Sequence, residues 1–206
     1  MSSSSLRKIY YDPKIFYIQK YGGISKYFVN LVSKLNKTIY EPSIVAPIFI
    51  NEYLSDINKD YKKNLFKIKS HPKYTRKVSN FINDKFFSFY NYLNKPDIIH
   101  STYYSKISKK KNQKIVITVY DLIHEMFNKQ FKFSGLNNSK KEYLDQADKI
   151  ICISENTKKD LLKYYEVDTK KISVIPLGHP TDREYEIIDL SIISKPYILF
   201  VGDRNN

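Results

Sequence analysis

The chain holds one cysteine, five glycines and no tryptophan in 206 residues. With Cys152 alone no intrachain disulfide can form, and the lack of a disulfide framework suits a reducing compartment. Cys152 lies in an apolar run and reads as a small core residue. Acidic residues are also in short supply: 21 Asp and Glu stand against 35 Lys and Arg, a formal net charge of +14. That balance fits nucleic acid, an anionic membrane surface or a phosphorylated small molecule. Lys, Asn, Ile, Tyr and Phe are abundant while Gly is scarce, the bias of AT-rich codons, so the charge reads as part codon bias and part function. The lysines and tyrosines are scattered and no nucleic-acid motif occurs, which makes nucleic acid the least favoured partner. Long apolar runs are missing too. The N-terminal MSSSSLRK has no apolar signal core, and no run approaches the roughly 20 apolar residues of a membrane span. The expectation is a cytoplasmic protein, soluble or peripheral to a membrane.

What the chain does contain is an alternation of short apolar runs and helical patterns. Residues 6–11, 39–46, 65–68, 96–100, 114–119, 149–153 and 171–175 read as strands. Residues 23–35 repeat apolar positions at Ile24, Tyr27, Phe28, Leu31, Val32 and Leu35, the spacing of an amphipathic helix packed on a sheet. Residues 78–93 place Phe81, Ile82, Phe86, Phe89, Tyr90 and Leu93 on one helical face. Further helices are expected at 51–58, 138–147 and 155–165, the last with Ser154 as its N-cap. Residues 12–21, 101–105, 106–113 and 131–135 read as loops or irregular chain. Strands alternating with helices over this length predict an α/β fold with a doubly wound parallel sheet. Residues 1–5 read as a disordered polar arm, 6–180 as one Rossmann-like domain and 181–195 as a linker. Residues 196–206 read as the first strand and turn of a second domain whose remainder is missing.

Two places carry chemistry. The stretch TVYDLIHEMF at 118–127 follows a buried strand and puts Tyr120, Asp121, His124 and Glu125 within six positions. In an open α/β sheet, ligands sit beyond the carboxyl ends of the strands, where such a cluster can bind and polarise a substrate. The plainer alternative is that Asp121 caps the next turn and His124 is a satisfied, partly buried histidine. Gly22 and Gly23 stand between a strand and a helix. Glycines there let backbone approach a phosphate, which the free N–H groups and positive dipole of the helix start attract. A plain loop-to-helix turn would look the same. His100 ends the fourth strand, where it could line the same cleft. No metal-ligand spacing is visible, and no metal or cofactor is called for.

Several segments together resemble the N-terminal half of the retaining GT-B glycosyltransferases of family 4, also called glycosyl transferases group 1. They are YGGISKYFVNLVSKL at 21–35, PDIIHSTYY at 96–104, VITVYDLIHEMF at 116–127, ADKIICISENTKKDLLKYY at 147–165, KISVIPLG at 171–178 and PYILFVGDRNN at 196–206. They follow the family's order and cover nearly the whole chain apart from 51–77. The resemblance implies that Gly22 and Gly23 lie against donor phosphates and acceptor, and that Arg204 matches the arginine that helps hold a nucleotide diphosphate. It makes Asp121 and His124 the catalytic candidates, with His100 and Glu125 beside Gly22, Gly23 and Arg204 as binding candidates. Tyr120 departs from the histidine that many relatives carry there. The lysine after the arginine and the paired glutamates of the second domain are absent.

The implied function is transfer of a sugar, with retention, from a nucleotide-diphosphate sugar to a sugar, glycan or lipid-linked glycan. The alternative is a catalytically inactive domain that binds acceptor glycan or a partner chain supplying the second domain. The basic surface would steer the diphosphate donor or rest peripherally on an anionic membrane.

Overall fold

The computed structural model describes residues 6–63, 66–70, 75–127 and 136–178, together with Pro196 and Ile198. The arm at 1–5, the irregular segment 131–135, Leu65, the linker 181–195 and Arg204 lie outside these residues, as does most of the strand expected at 196–206.

The elements run β1 (Arg7–Tyr11), α1 (Lys14–Ile18), α2 (Gly23–Lys34), β2 (Tyr40–Val45), β3 (Ile48–Phe49), α3 (Tyr53–Asp56), β4 (Lys62–Lys63), β5 (Phe66–Lys67) and α4 (Arg76–Asn94). They continue with β6 (Ile98–Ser101), β7 (Lys114–Val119), α5 (Ile123–Met126), α6 (Leu136–Asp145), β8 (Lys149–Cys152), α7 (Glu155–Tyr164) and β9 (Ile172–Val174). Seven strands form one sheet in the order β4-β2-β1-β6-β7-β8-β9, and β3 pairs with β5 in a separate two-stranded ladder. Every pairing is parallel. The predicted α/β doubly wound fold is therefore present, and it is Rossmann-like.

Parallel strands covered on both faces need apolar residues on both, which is why KIVITV and KIIC read as unbroken runs. Alternate residues feed two cores. Tyr10, Ile99, Ile115, Ile117, Val119, Ile150 and Cys152 pack with Phe87, Tyr143, Leu144 and Leu161 from α4, α6 and α7. Ile9, Tyr11 and Ile44 pack on the other face with Ile15, Phe16, Phe28, Val32 and Leu54 from α1, α2 and α3. Burial pushes the Cys152 thiol up to about 11, so it stays neutral as the expected core residue. Ser154 caps α7 as expected, its Oγ accepting the Thr157 N–H at 3.0 Å.

The structure corrects the sequence in three places. Residues 12–21 are not all loop: α1 lies within them and buries Ile15, Phe16 and Tyr17. The two-residue strands β3 and β4 and the one-turn helix α5 also lie outside the expected elements. The largest correction concerns α4, whose expected apolar face is split: Phe86 and Tyr90 pack against the core, and the other four residues point away from it. Phe81, Ile82, Phe89 and Leu93 are exposed, while the buried row is Asn83, Phe87, Asn91 at i, i+4, i+8. The reason is polar. Asn83 Oδ1 accepts the Ile48 N–H and its Nδ2 donates to the Ile48 carbonyl, both at 2.9 Å. Asn91 Oδ1 accepts from Gln113 Nε2 at 2.7 Å, and its own amide reaches the Ser108 carbonyl at 3.3 Å. Fully paired amides can occupy a core, and here they satisfy backbone that would otherwise be stranded.

Candidate active site

The chain leaves β1 toward β2 and β4, then returns to β6 on the other side. The strand order thus reverses between β1 and β6, where a doubly wound sheet opens a crevice beyond its carboxyl ends. Asp12 and Thr102 close the floor of this crevice. The Asp12 carboxylate accepts the Thr102 N–H at 2.7 Å, the Thr102 hydroxyl at 3.0 Å, the Lys14 N–H at 2.8 Å and the Ser105 hydroxyl at 3.2 Å. Thr102 Oγ1 in turn accepts the Ile15 N–H at 3.1 Å. Asp12 is fully buried, and burial raises its pKa against the pull of these donors. Sequence reading missed this strap, because its partners are 90 residues apart.

One wall of the crevice is the start of α2. Gly22, the N-cap, offers no side-chain cap, and the first turn carries no acid. Gln19 supports the turn from behind: its Oε1 accepts the Ser25 N–H at 3.2 Å, and its amide lies where a Gly22 Cβ would go. Gly23 differs. A Cβ there would meet nothing within 4 Å, and no described glycine has positive φ. Neither torsion nor protein packing demands a glycine at 23, so the open side is room for something else. Gln19 takes the Ser25 N–H, so what the start of this twelve-residue helix offers an anion is its dipole, a first turn free of acids and the open side at Gly23. At the start of α7 the Ser154 cap takes the equivalent N–H, that of Thr157, and the difference is Glu155, which puts a carboxylate in the first turn.

The facing wall is the end of β7. Tyr27, one turn into α2, meets Tyr120 edge to face, with ring centroids 6.1 Å apart and planes at 82°. Thr157 Oγ1 donates to the Tyr120 carbonyl at 3.2 Å, which fixes this backbone to α7. Asp121 follows, exposed, with Oδ1 accepting the Ile123 N–H at 3.2 Å in an Asx turn. Asp121 thus turns the chain, as the plainer reading has it, and its side chain is exposed. Its charge is felt by Tyr103 on the β6 loop, whose pKa is raised first by burial and then by Asp121 and Glu125. His124 is half-buried on α5.

Glu125 is buried, and its oxygens are taken. Lys140 Nζ lies 2.8 Å from Oε1 and donates to Oε2 at 2.9 Å, while the Tyr165 hydroxyl donates to Oε1 at 2.6 Å. Lys140 also donates to the Asp121 carbonyl at 3.3 Å and sits 4.8 Å from the Tyr104 ring centroid. Glu125 thus ties α5 to α6 and α7 beneath Asp121. His100 lies in the core instead of on the cleft surface. It packs against Tyr11 and Phe28 at 5.5 and 5.1 Å, and its Nε2 is 2.9 Å from Thr118 Oγ1. Burial lowers its pKa to about 3, so it is neutral at physiological pH. The structure thus joins the Gly22–Gly23 turn and Asp121 through one aromatic contact, with Glu125 and His100 as their support.

Comparison with known proteins bears on this arrangement. The sequence matches the family model described as Glycosyltransferase Family 4 over residues 21–183. Among solved structures, the chain is similar to a glycosyltransferase from Rickettsia africae ESF-5, at 17% identity and a TM-score of 0.49, covering 84% of this chain and 43% of that one. It is also similar to the lipopolysaccharide outer core galactosyltransferase WaaB in its apo form, at 15% identity and a TM-score of 0.47, covering 81% of this chain and 44% of that one. The chain thus spans less than half the length of either. A comparison with curated proteins gave no significant match. The family model covers most of the described sheet together with the α2 turn and Asp121, and the chain belongs to Glycosyltransferase Family 4.

Proposed function

We propose that this domain forms the acceptor side of an enzyme that transfers a sugar, with retention, from a nucleotide-diphosphate sugar to a glycan or lipid-linked glycan. One observation carries the reading: a helix start with no acid in its first turn and open space at Gly23 is joined by Tyr27 and Tyr120 to the exposed carboxylate of Asp121. The helix start would attract the diphosphate, which bears the charge that develops as the sugar leaves. Asp121 would accept a hydrogen bond from the acceptor hydroxyl and hold its oxygen toward the anomeric carbon. The acceptor oxygen bonds to that carbon as the bond to the diphosphate oxygen breaks. The hydroxyl proton passes to the departing phosphate oxygen on the same face of the sugar. His124, the second residue of α5 and three positions after Asp121, is the second candidate for contact with the acceptor. Arg204 would add positive charge to the diphosphate from the segment after the linker.

The test is transfer from a panel of nucleotide sugars to glycan and lipid-linked acceptors, comparing the native protein with Asp121→Ala and Gly23→Val. Activity lost in both variants with unchanged melting temperature supports the reading. Undiminished transfer in both removes it.

A further inference from the structure

The outer face of α4 is more apolar than its inner one. Phe81, Tyr92, Val78, Phe89, Ile82 and Leu93 form a continuous exposed stripe, each between 44% and 61% exposed. On a helix of 3.6 residues per turn these positions fall within about one third of the circumference, opposite the buried Asn83–Phe87–Asn91 row. Isolated exposed apolar residues are ordinary, but six along one 19-residue helix form a patch that calls for a partner.

The charges around the stripe say what kind. Lys77, Lys85, Lys95 and Lys110 are all exposed along or beside it. Lys85 Nζ lies over the Phe81 ring, 5.3 Å from its centroid, and Lys110 Nζ lies over the Tyr92 ring at 5.0 Å, so each ammonium group stands on an aromatic face of the stripe. Asp84, the one acid on the helix, is turned to Asn80 on the flank. Aromatic and aliphatic residues fringed by lysines match the interface of an anionic bilayer, where rings enter the headgroup layer and ammonium groups meet lipid phosphates. A second copy is a poorer occupant, because pairing two such stripes would bring Lys85 and its neighbours together within a chain of net charge +14.

We propose that α4 is a membrane-docking helix that seats this domain on an anionic lipid surface through Val78, Phe81, Ile82, Phe89, Tyr92 and Leu93. This stands whether or not the domain transfers sugar, and it would bring a lipid-linked acceptor to the protein without a membrane span.

The experiment is co-sedimentation of the full chain with vesicles of phosphatidylcholine alone and with a quarter phosphatidylglycerol. Variants are Phe81→Asn/Phe89→Asn, Lys85→Gln/Lys110→Gln and, as a charge control on α7, Lys159→Gln/Lys163→Gln. All positions are exposed, and retained folding is checked by circular dichroism. The native chain should bind the anionic vesicles and weaken as salt rises. The aromatic pair should lower the partition coefficient by roughly tenfold or more. The lysine pair on α4 should lower it by about 25-fold at low salt, near fivefold per lysine. The α7 control should lose much less. No binding to anionic vesicles overturns the proposal, as does equal loss in the α4 and α7 lysine variants. So does binding that the aromatic pair leaves unchanged. Concentration-dependent dimers that the aromatic pair disperses, without vesicle binding, would assign the stripe to a second copy instead.

Discussion

Tyr27 and Tyr120 touch edge to face at 6.1 Å, and through that contact the first turn of α2 is held against the end of β7. The two segments lie more than ninety residues apart in the chain. Their contact sets the start of α2 and the Asp121 carboxylate on one crevice, so the geometry of the proposed reaction depends on it. Tyr27→Ala should widen the crevice and reduce transfer while Tyr27→Phe, which keeps the ring, should stay close to native. Steady-state kinetics of both variants check this, with the loss in Tyr27→Ala expected in kcat as well as KM.

Gly23→Ala separates fold from function. The added methyl meets no protein atom, and alanine is the better helix former, so stability should hold or rise by up to about 1 kcal/mol. If the open side receives a diphosphate or acceptor, affinity should nevertheless fall. Thermal unfolding and titration with a nucleoside diphosphate or nucleotide sugar check the two halves of this statement independently.

The Lys140–Glu125 pair is almost wholly shielded, with side-chain exposures of 1% and 4%. Removing Lys140 leaves Glu125 as a buried charge without its cation, still bonded to the Tyr165 hydroxyl. Lys140→Met should destabilise by about 3–5 kcal/mol, whereas Glu125→Leu/Lys140→Met should recover much of that loss. Urea unfolding of Lys140→Met, Glu125→Leu and the double variant measures it.

His100 makes stability fall in acid. Its folded pKa of about 3 lies below the value near 6.5 of an unfolded histidine. Below pH 6.5 unfolding takes up a proton that the folded chain refuses. This contribution is therefore complete above pH 6.5 and is lost as pH falls toward 3, by at most about 1.4 kcal/mol per pH unit. His100→Gln removes the titrating group and should flatten the unfolding free energy between pH 6.5 and 4.

The sequence and the structure part company where polar groups decide. Strands stood out because parallel strands buried on both faces are continuous apolar runs, and the Ser154 cap because its partner is only three residues away. The exposed position of Asp121 was legible from its place after a strand, whereas the Gly22–Gly23 turn follows helix α1 and not the strand itself. The orientation of α4 was not legible. Its apolar spacing is genuine, but two asparagines bound to Ile48, Ser108 and Gln113 hold the inner face, and those partners are set by tertiary contact. His100 was misplaced for a related reason, since a polar residue at a strand end looks the same whether it faces a cleft or a buried threonine. Helix α1 escaped because five residues show too little periodicity to be read. The Asp12–Thr102 strap escaped because nothing in the spacing joins residues so far apart.

The most direct test of the central claim is the stereochemistry and rate of sugar transfer, followed by proton NMR of the product, for the native protein and Asp121→Ala side by side. The account predicts a glycosidic bond with the anomeric configuration of the donor, formed roughly a hundredfold or more slowly by Asp121→Ala with the fold intact. Transfer at the native rate by Asp121→Ala, or a product of inverted configuration, would contradict it.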